Sequence, residues 1–358
     1  MTDENLNLAA GANEPAEPAP LHTPPSLSQT IFFGADGLRA GWGIVLFALL
    51  FSLMLAAGIG ILKLVHPKPP GAITGKDTEP GFMVIAEALP FLGLLLVSWV
   101  MSKIEGRRSG VYGLGGAQRV MHFVMGLAWG VACLSALVLA LWKTGFLVFD
   151  GRLLSGRDIV VYAAVWLLGF TFVGLSEEYM LRGYLQYTLA RGFAGIYRWA
   201  FKTERGATFG FWTAAFLLST LFGLGHGKNP GESPIGLLSA GLVGLVFCLS
   251  LWRTGSLWWA IGFHASWDWA QSFLYGVADS GTMVAHHLMA SHPVGKALLS
   301  GGTTGPEGSI LVLPVLLLTA LIIVFTLPRT GAYAANMPAG RDLNVFPSAP
   351  AQEAMAGD

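Results

Sequence analysis

The 358-residue chain is 53% hydrophobic and 12% charged, with a mean hydropathy of +0.59. A soluble domain carries about twice that charged fraction. The 21 basic residues are balanced by 21 acidic ones, so no basic footprint for nucleic acid exists. Cys133 and Cys248, both in apolar runs, are too few for a disulfide framework or a thiolate metal site and read as small core residues.

The apolar residues fall in runs near the length of about 20 that an α-helix needs to cross the hydrocarbon layer. The expected fold is therefore all-α, a polytopic transmembrane helix bundle of about eight spans. Residues 1–35 read as a disordered, Pro-rich N-terminal tail: up to residue 30 it holds five prolines and the acids Asp3, Glu4, Glu14 and Glu17. It lacks the basic start and apolar core of a signal peptide, which leaves the first span as the expected uncleaved targeting signal. Residues 36–150 carry the N-terminal transmembrane helices, with spans near 41–63, 82–102 and 121–142. In the second, Glu87 close to Pro90 is an orphan carboxylate that fits equally a cavity wall or the membrane interface.

Residues 151–280 form the expected core, with spans near 159–189, 207–227, 233–252 and 256–278. The first of these four is too long for one straight crossing, so a tilt, a break near Gly174, or a run along the interface beyond Arg182 is expected. Trp258 and Trp259 read as an interface anchor. Residues 281–330 hold a loop and the last transmembrane helix, near 309–327, and His286, His287 and His292 read as a solvated cluster in that loop. Residues 331–358 are expected to be a disordered C-terminal tail. No internal repeat is visible, which weakens an analogy with inverted-repeat transporters. Twelve Lys and Arg outside the spans, Arg39 and Arg341 among them, fall on the side of both tails, against eight, including Lys68 and Lys76, on the other. This bias puts both termini in the cytoplasm.

A charged side chain near the bilayer centre costs on the order of 3 kcal/mol on insertion scales, so one that stays there needs a partner or a function. Three groups stand out. In Ser176-Glu177-Glu178-Tyr179-Met180-Leu181-Arg182, Glu178 and Arg182 are four apart and stack on one helix face as an ion pair, while Glu177 is turned about 100° away. One carboxylate is then structural and the other free to react. In Phe222-Gly223-Leu224-Gly225-His226-Gly227, the glycines allow a close helix approach to His226, although a lone His at a span end is more often a packing residue. In His264-Ala265-Ser266-Trp267-Asp268, the spacing of four lets Asp268 accept a hydrogen bond from His264 and fix its tautomer. A His-Glu-x-x-His helix, a Gly-x-Ser-x-Gly elbow and a phosphate-binding loop with a following Lys are all absent from the sequence.

Together these motifs resemble the CAAX-protease and bacteriocin-processing (CPBP) family of intramembrane proteases, of the CAAX prenyl protease 2-like kind. That family carries Glu-Glu-x-x-x-Arg, Phe-x-x-x-His and His-x-x-x-Asn or Asp on successive membrane helices. Glu177, Glu178 and Arg182, then Phe222 and His226, then His264 and Asp268 meet this order, and Arg253-Thr254-Gly255-Ser256-Leu257-Trp258 also looks like the family. The resemblance covers roughly residues 157 to 280. It departs at Asp268, where Asn is commoner: an ionised carboxylate cannot donate a hydrogen bond to an oxyanion, so an Asn-like role needs Asp268 protonated.

The resemblance implies an intramembrane endopeptidase acting on a membrane-associated or lipidated peptide or protein, with catalytic residues Glu177, Glu178, Arg182, His226, His264 and Asp268. In the expected scheme Glu177 is the general base, His226 helps to hold and polarise the water, His264 donates to the oxyanion and Asp268 orients it. No organic cofactor is called for. Zinc is the one ion the same residues suit, through Glu177, His226, His264 and Asp268, and the resemblance leaves open whether the mechanism uses it. The lack of a eukaryotic sorting signal makes the bacterial inner membrane the default location, with the bilayer and the substrate as partners and no nucleic acid. The rival readings are an ion- or proton-coupled transporter relaying protons through the same residues, and a non-catalytic scaffold or immunity protein using the same cavity.

Overall fold

The computed structural model describes residues 26–34, 37–65 and 78–337. Both tail expectations fall mainly on residues 1–25 and 338–358, which lie outside the described residues, as do Lys68, Lys76 and Arg341 of the charge count. A short helix α1 (Leu27–Phe32) leads into an antiparallel pair, β1 (Phe33–Gly34) and β2 (Gly37–Leu38). Helices α2 (Ala40–Val65), α3 (Pro80–Ile104) and α4 (Arg119–Lys143) follow, and then strand β3 (Leu147–Arg152).

Next comes α5 (Arg157–Glu178), which passes through a π-helical segment, Tyr179–Leu185, into α6 (Gln186–Phe201). Helices α7 (Gly206–Gly225), α8 (Pro234–Thr254) and α9 (Trp258–Trp269) complete the centre, α9 continuing as a second π-helical segment, Ala270–Leu274. Strand β4 (Met289–Pro293) pairs antiparallel with β3, Leu147 opposite Pro293 and Val148 opposite His292, with a register shift between Phe149 and Gly151. Short α10 (Ala297–Ser300), the long apolar α11 (Val312–Thr326) and short α12 (Ala332–Ala335) end the described chain.

The local chemistry explains the boundaries. Proline opens α3 and α8 at positions where its missing N–H costs nothing, and Ser233 Oγ caps α8 by accepting from Gly236 N at 3.1 Å. Gly255, at φ +69°, ends α8 in the left-handed conformation that glycine adopts without strain.

Among the described residues six helical stretches are long and apolar enough to cross a membrane: Ala40–Gly60, Pro80–Ile104, Arg119–Lys143, Arg157–Phe201, Gly206–Lys228 and Pro234–Thr254. The two remaining expected spans are shorter, α11 having 15 residues and α9 only 12. Helix α9 is short because it is a core element: Trp259 to Phe263 and Ala265 to Asp268 are buried, enclosed by α4, α5 and α8. That burial also corrects the reading of Trp258 and Trp259 as an interface anchor. Trp259 is fully buried, and the Trp258 indole donates to Leu114 O at 3.1 Å inside the fold.

Helix α9 packs so closely on α4 because both present glycines. A Cβ on Gly262 would collide with Phe123 O of α4, and one on Gly126 with Trp259 O of α9. The expected break near Gly174 is absent. Arg157–Phe201 is one 45-residue helix, about 67 Å long at 1.5 Å per residue, far beyond the roughly 30 Å hydrocarbon core. Gly174 instead admits α9, since a Cβ there would lie 3.1 Å from Ile261 O.

The connections gather at two ends. At one, Leu257 N bonds Gly113 O, Thr330 N bonds Arg253 O and Arg191 Nη2 bonds Leu38 O. At the other, Thr78 N bonds Met283 O, Leu153 N bonds Leu288 O and Gly281 N bonds Thr304 O. The inner ends of both expected tails are structured at the first of these, where Tyr333 is buried against Phe211 and Trp252.

Candidate active site

The three polar groups, spread along the chain from Glu177 to Asp268, meet where α5, α7, α8 and α9 pack. Glu178 ends α5 with its side chain fully buried, and Arg182, one turn on in the π-helical segment, is 1% exposed. Arg182 Nη1 donates to Glu178 Oε1 at 3.0 Å, the ion pair expected from the spacing of four. A π-helical turn interrupts regular helix immediately after the Glu-Glu pair and again just after Asp268, a placement common at functional sites. The guanidinium lies 4.3 Å from the centre of the Phe222 ring, which ties the Phe-x-x-x-His motif of α7 to the pair. Gly244 of α8 makes the room, because a Cβ there would sit 2.6 Å from Arg182 Nη2.

Glu178 also makes a contact that no local spacing discloses. Its Oε1 lies 2.9 Å from His264 Nδ1, so one carboxylate oxygen joins α5 to α9. On the other side of the ring, His264 Nε2 is 3.4 Å from Asp268 Oδ2 and 3.8 Å from Glu177 Oε2. The His264–Asp268 juxtaposition thus matches its spacing, but the tightest contact to the imidazole comes from Glu178. Glu177 stands apart from the Glu178–Arg182 pair, with 35% of its side chain exposed. Its charge also senses Glu87 of α3, whose backbone carbonyl accepts from Ser176 Oγ at 3.4 Å.

His226 begins the 3-10 turn that closes α7, with Nδ1 2.8 Å from Phe222 O. With Nδ1 as the donor, Nε2 is left as an acceptor. His226, His264 and Asp268 line one cavity of about 60 Å³. Its remaining walls are mostly apolar, from α8, α9 and α11, and they include one further carboxylate, Glu307. Glu177 is not among the residues that line this cavity, and among the described residues no ion pair within 4.0 Å joins it to His226.

Glu307 and its neighbour Asp279 escaped the sequence reading because both sit in loops, Glu307 in a short turn of Pro306–Gly308. Ser280 holds Glu307, its N–H and its Oγ both donating to Oε1, the latter at 2.9 Å. Burial pushes the Asp279 carboxyl well above the usual carboxylate range, and nearby Asp268 and Glu307 push the same way. The one sequence signal was an acid within the Gly-rich stretch Gly301 to Gly308, which has no distinguishing pattern.

The three loop histidines are paired locally. His286 stacks on Tyr162 at 4.3 Å, His287 Nδ1 meets Met289 O at 2.6 Å, and His292 Nδ1 meets Asp150 Oδ2 at 2.8 Å. Cys133 and Cys248 are buried and free, as expected of core residues. Among the described residues no group of three or more His, Cys, Asp or Glu side chains is gathered as a metal ion requires. The set Glu177, His226, His264 and Asp268 is not gathered in this way.

Residues 159–270 match a family model described as type II CAAX prenyl endopeptidase Rce1-like. No curated protein gives a significant match. No solved structure does either. The matched segment begins two residues into α5 and ends two residues past Asp268, so it encloses the Glu-Glu pair, Arg182 and both motif histidines. Over residues 159–270, about a third of its length, this chain is similar to the Rce1-like type II CAAX prenyl endopeptidases, a family of peptidases.

Proposed function

We propose that the protein hydrolyses a peptide bond in a membrane-associated or lipidated peptide or protein, using a water activated by Glu177. The water gives a proton to Glu177 as its oxygen attacks the carbonyl carbon, with His226 Nε2 helping to hold and polarise the water. The carbonyl oxygen becomes an oxyanion, and His264, carrying a proton on each ring nitrogen, donates to it through Nε2 while Nδ1–H is held by Glu178. The C–N bond then breaks. The leaving nitrogen takes the proton from Glu177, which restores the base.

Arg182 neutralises Glu178, so that the two adjacent carboxylates need not share one proton. Asp268, beside the same Nε2, orients the protonated ring by its charge while the single Nε2–H goes to the oxyanion, a role open to a carboxylate, and it does not replace the oxyanion donor that Asn supplies in the commoner pattern. The single observation that carries the reading is the Glu178 bond to His264 at 2.9 Å, because it fixes an imidazole of one motif against the carboxylate pair of another.

Glu177→Gln and His226→Ala are each expected to abolish cleavage while the protein still inserts and folds in the membrane. Retained activity in either variant contradicts the scheme. No step runs through a metal. Elemental analysis of active, purified protein is expected to find far less than one zinc per chain, and a stoichiometric ion would contradict the scheme. As a location we infer the bacterial inner membrane with cytoplasmic termini, on the excess of Lys and Arg at the end that holds them.

A further inference from the structure

Glu307 lies outside the matched segment, yet it shares the cavity with His226, His264 and Asp268. Its Oε1 is taken by Ser280, and no hydrogen bond joins its Oε2 to another described residue. Among the described residues no Lys, Arg or His nitrogen lies within 4.0 Å of it, whereas Glu178 has Arg182 and Asp268 has His264. The charges that reach it from further off include those of Glu232, Asp268 and Asp279, which repel, and His226, which attracts. Burial pushes its carboxyl above the usual carboxylate range, as a half-satisfied acid in an apolar wall requires.

Apart from Ser239 and Asp268 the rest of the cavity wall is apolar or aromatic, with Val243, Phe247, Val312 and Leu316 among it, and it holds no cationic group except the two imidazoles. A cavity of this composition suits a side chain with an apolar stem and a positive tip. Lysine and arginine have that form, laying their methylenes along apolar surface and presenting the charge at the end. Such a tip would supply the counterion that Glu307 lacks, in surroundings where a charge pair is weakly screened.

We propose that Glu307 is a specificity-determining residue, through which the cavity selects a substrate with a lysine or arginine next to the bond that is cut. The inference rests on the peptidase reading above. Its residue-level claim is separate from the roles of Glu177 and His226.

The test takes one peptide that the reconstituted full-length protein cleaves and varies each of the two residues flanking the cut among lysine, Nε-acetyl-lysine and norleucine. At one of these positions wild type is expected to prefer lysine over norleucine by roughly tenfold or more in kcat/KM, with acetyl-lysine resembling norleucine. Glu307→Gln keeps an oxygen for Ser280 and is expected to bring the lysine-to-norleucine ratio close to one. A wild-type ratio near one, or acetyl-lysine cleaved as well as lysine, overturns the inference while leaving the peptidase reading standing, and neither result depends on the variant folding. A folded Glu307→Gln that keeps the full wild-type ratio overturns the assignment to Glu307. Failure of wild type to cleave any peptide overturns both.

Discussion

Arg182 and Glu178 form an ion pair with almost no exposure to solvent. Removing one member of such a pair leaves an uncompensated buried charge, which costs about 3–5 kcal/mol, whereas replacing both with apolar groups of similar volume is often neutral. Arg182→Met is therefore expected to destabilise the protein by about 3 kcal/mol or more, and the double variant Glu178→Leu/Arg182→Met by much less. Denaturation in detergent micelles checks this, and a double variant as unstable as the single one would count against the pair as the cause. The i, i+4 spacings in the sequence gave access to this pair and to His264–Asp268, because helical periodicity converts spacing into contact. The Glu178–His264 bond and Glu307 were hidden for a common physical reason. Each depends on which elements the bundle brings together, and a single sequence does not display that.

At the scale of elements, α4 and α9 touch backbone to backbone through Gly126 and Gly262. Inserting atoms into so tight a contact costs about 1–3 kcal/mol or more. Gly262→Ala is expected to lower stability by at least that much, and Gly58→Ala in α2, where no atom lies within 4 Å of the new Cβ, to leave it within roughly 0.5 kcal/mol. Equal melting temperatures for the two variants would show that the α4–α9 approach is not tight.

Helix existence was legible along the whole chain, since apolar runs of crossing length admit few other structures. Local irregularity was not. The length of the fourth span left a tilt, a break near Gly174 or a run along the interface beyond Arg182 open; the chain stays helical through Gly174 and takes up its irregularity in the π-helical segment Tyr179–Leu185, which carries Arg182. Similarly, Trp258 and Trp259 carry the composition of an interface anchor, and only the position of α9 inside the bundle shows why Trp259 is buried.

For the whole molecule, the grouping of connections at two ends puts the starts of α2, α4, α7 and α9 on one side of the bundle and the β3–β4 pair on the other. With the first end in the cytoplasm, cysteines introduced at Glu204 and Thr330 are expected to resist a membrane-impermeant maleimide in intact cells, and cysteines at Ser155 and Lys296 to react. All four positions are exposed on the protein, and native Cys133 and Cys248 are buried. The reverse labelling pattern would invert the topology. The chemistry does not depend on that outcome, because the Glu178–His264 junction stays in the bundle interior whichever end faces the cytoplasm.

The most direct test of the central claim is cleavage itself. The protein is purified in detergent, reconstituted in vesicles and offered a mixed library of membrane-inserted and lipidated peptides, with Glu177→Gln as the paired control and mass spectrometry as the readout. Products that form with wild type and vanish with Glu177→Gln are predicted, and their ends give the cleaved bond. The same product spectrum from both proteins, or none from a wild-type sample shown to be folded, would contradict a peptidase built on Glu177.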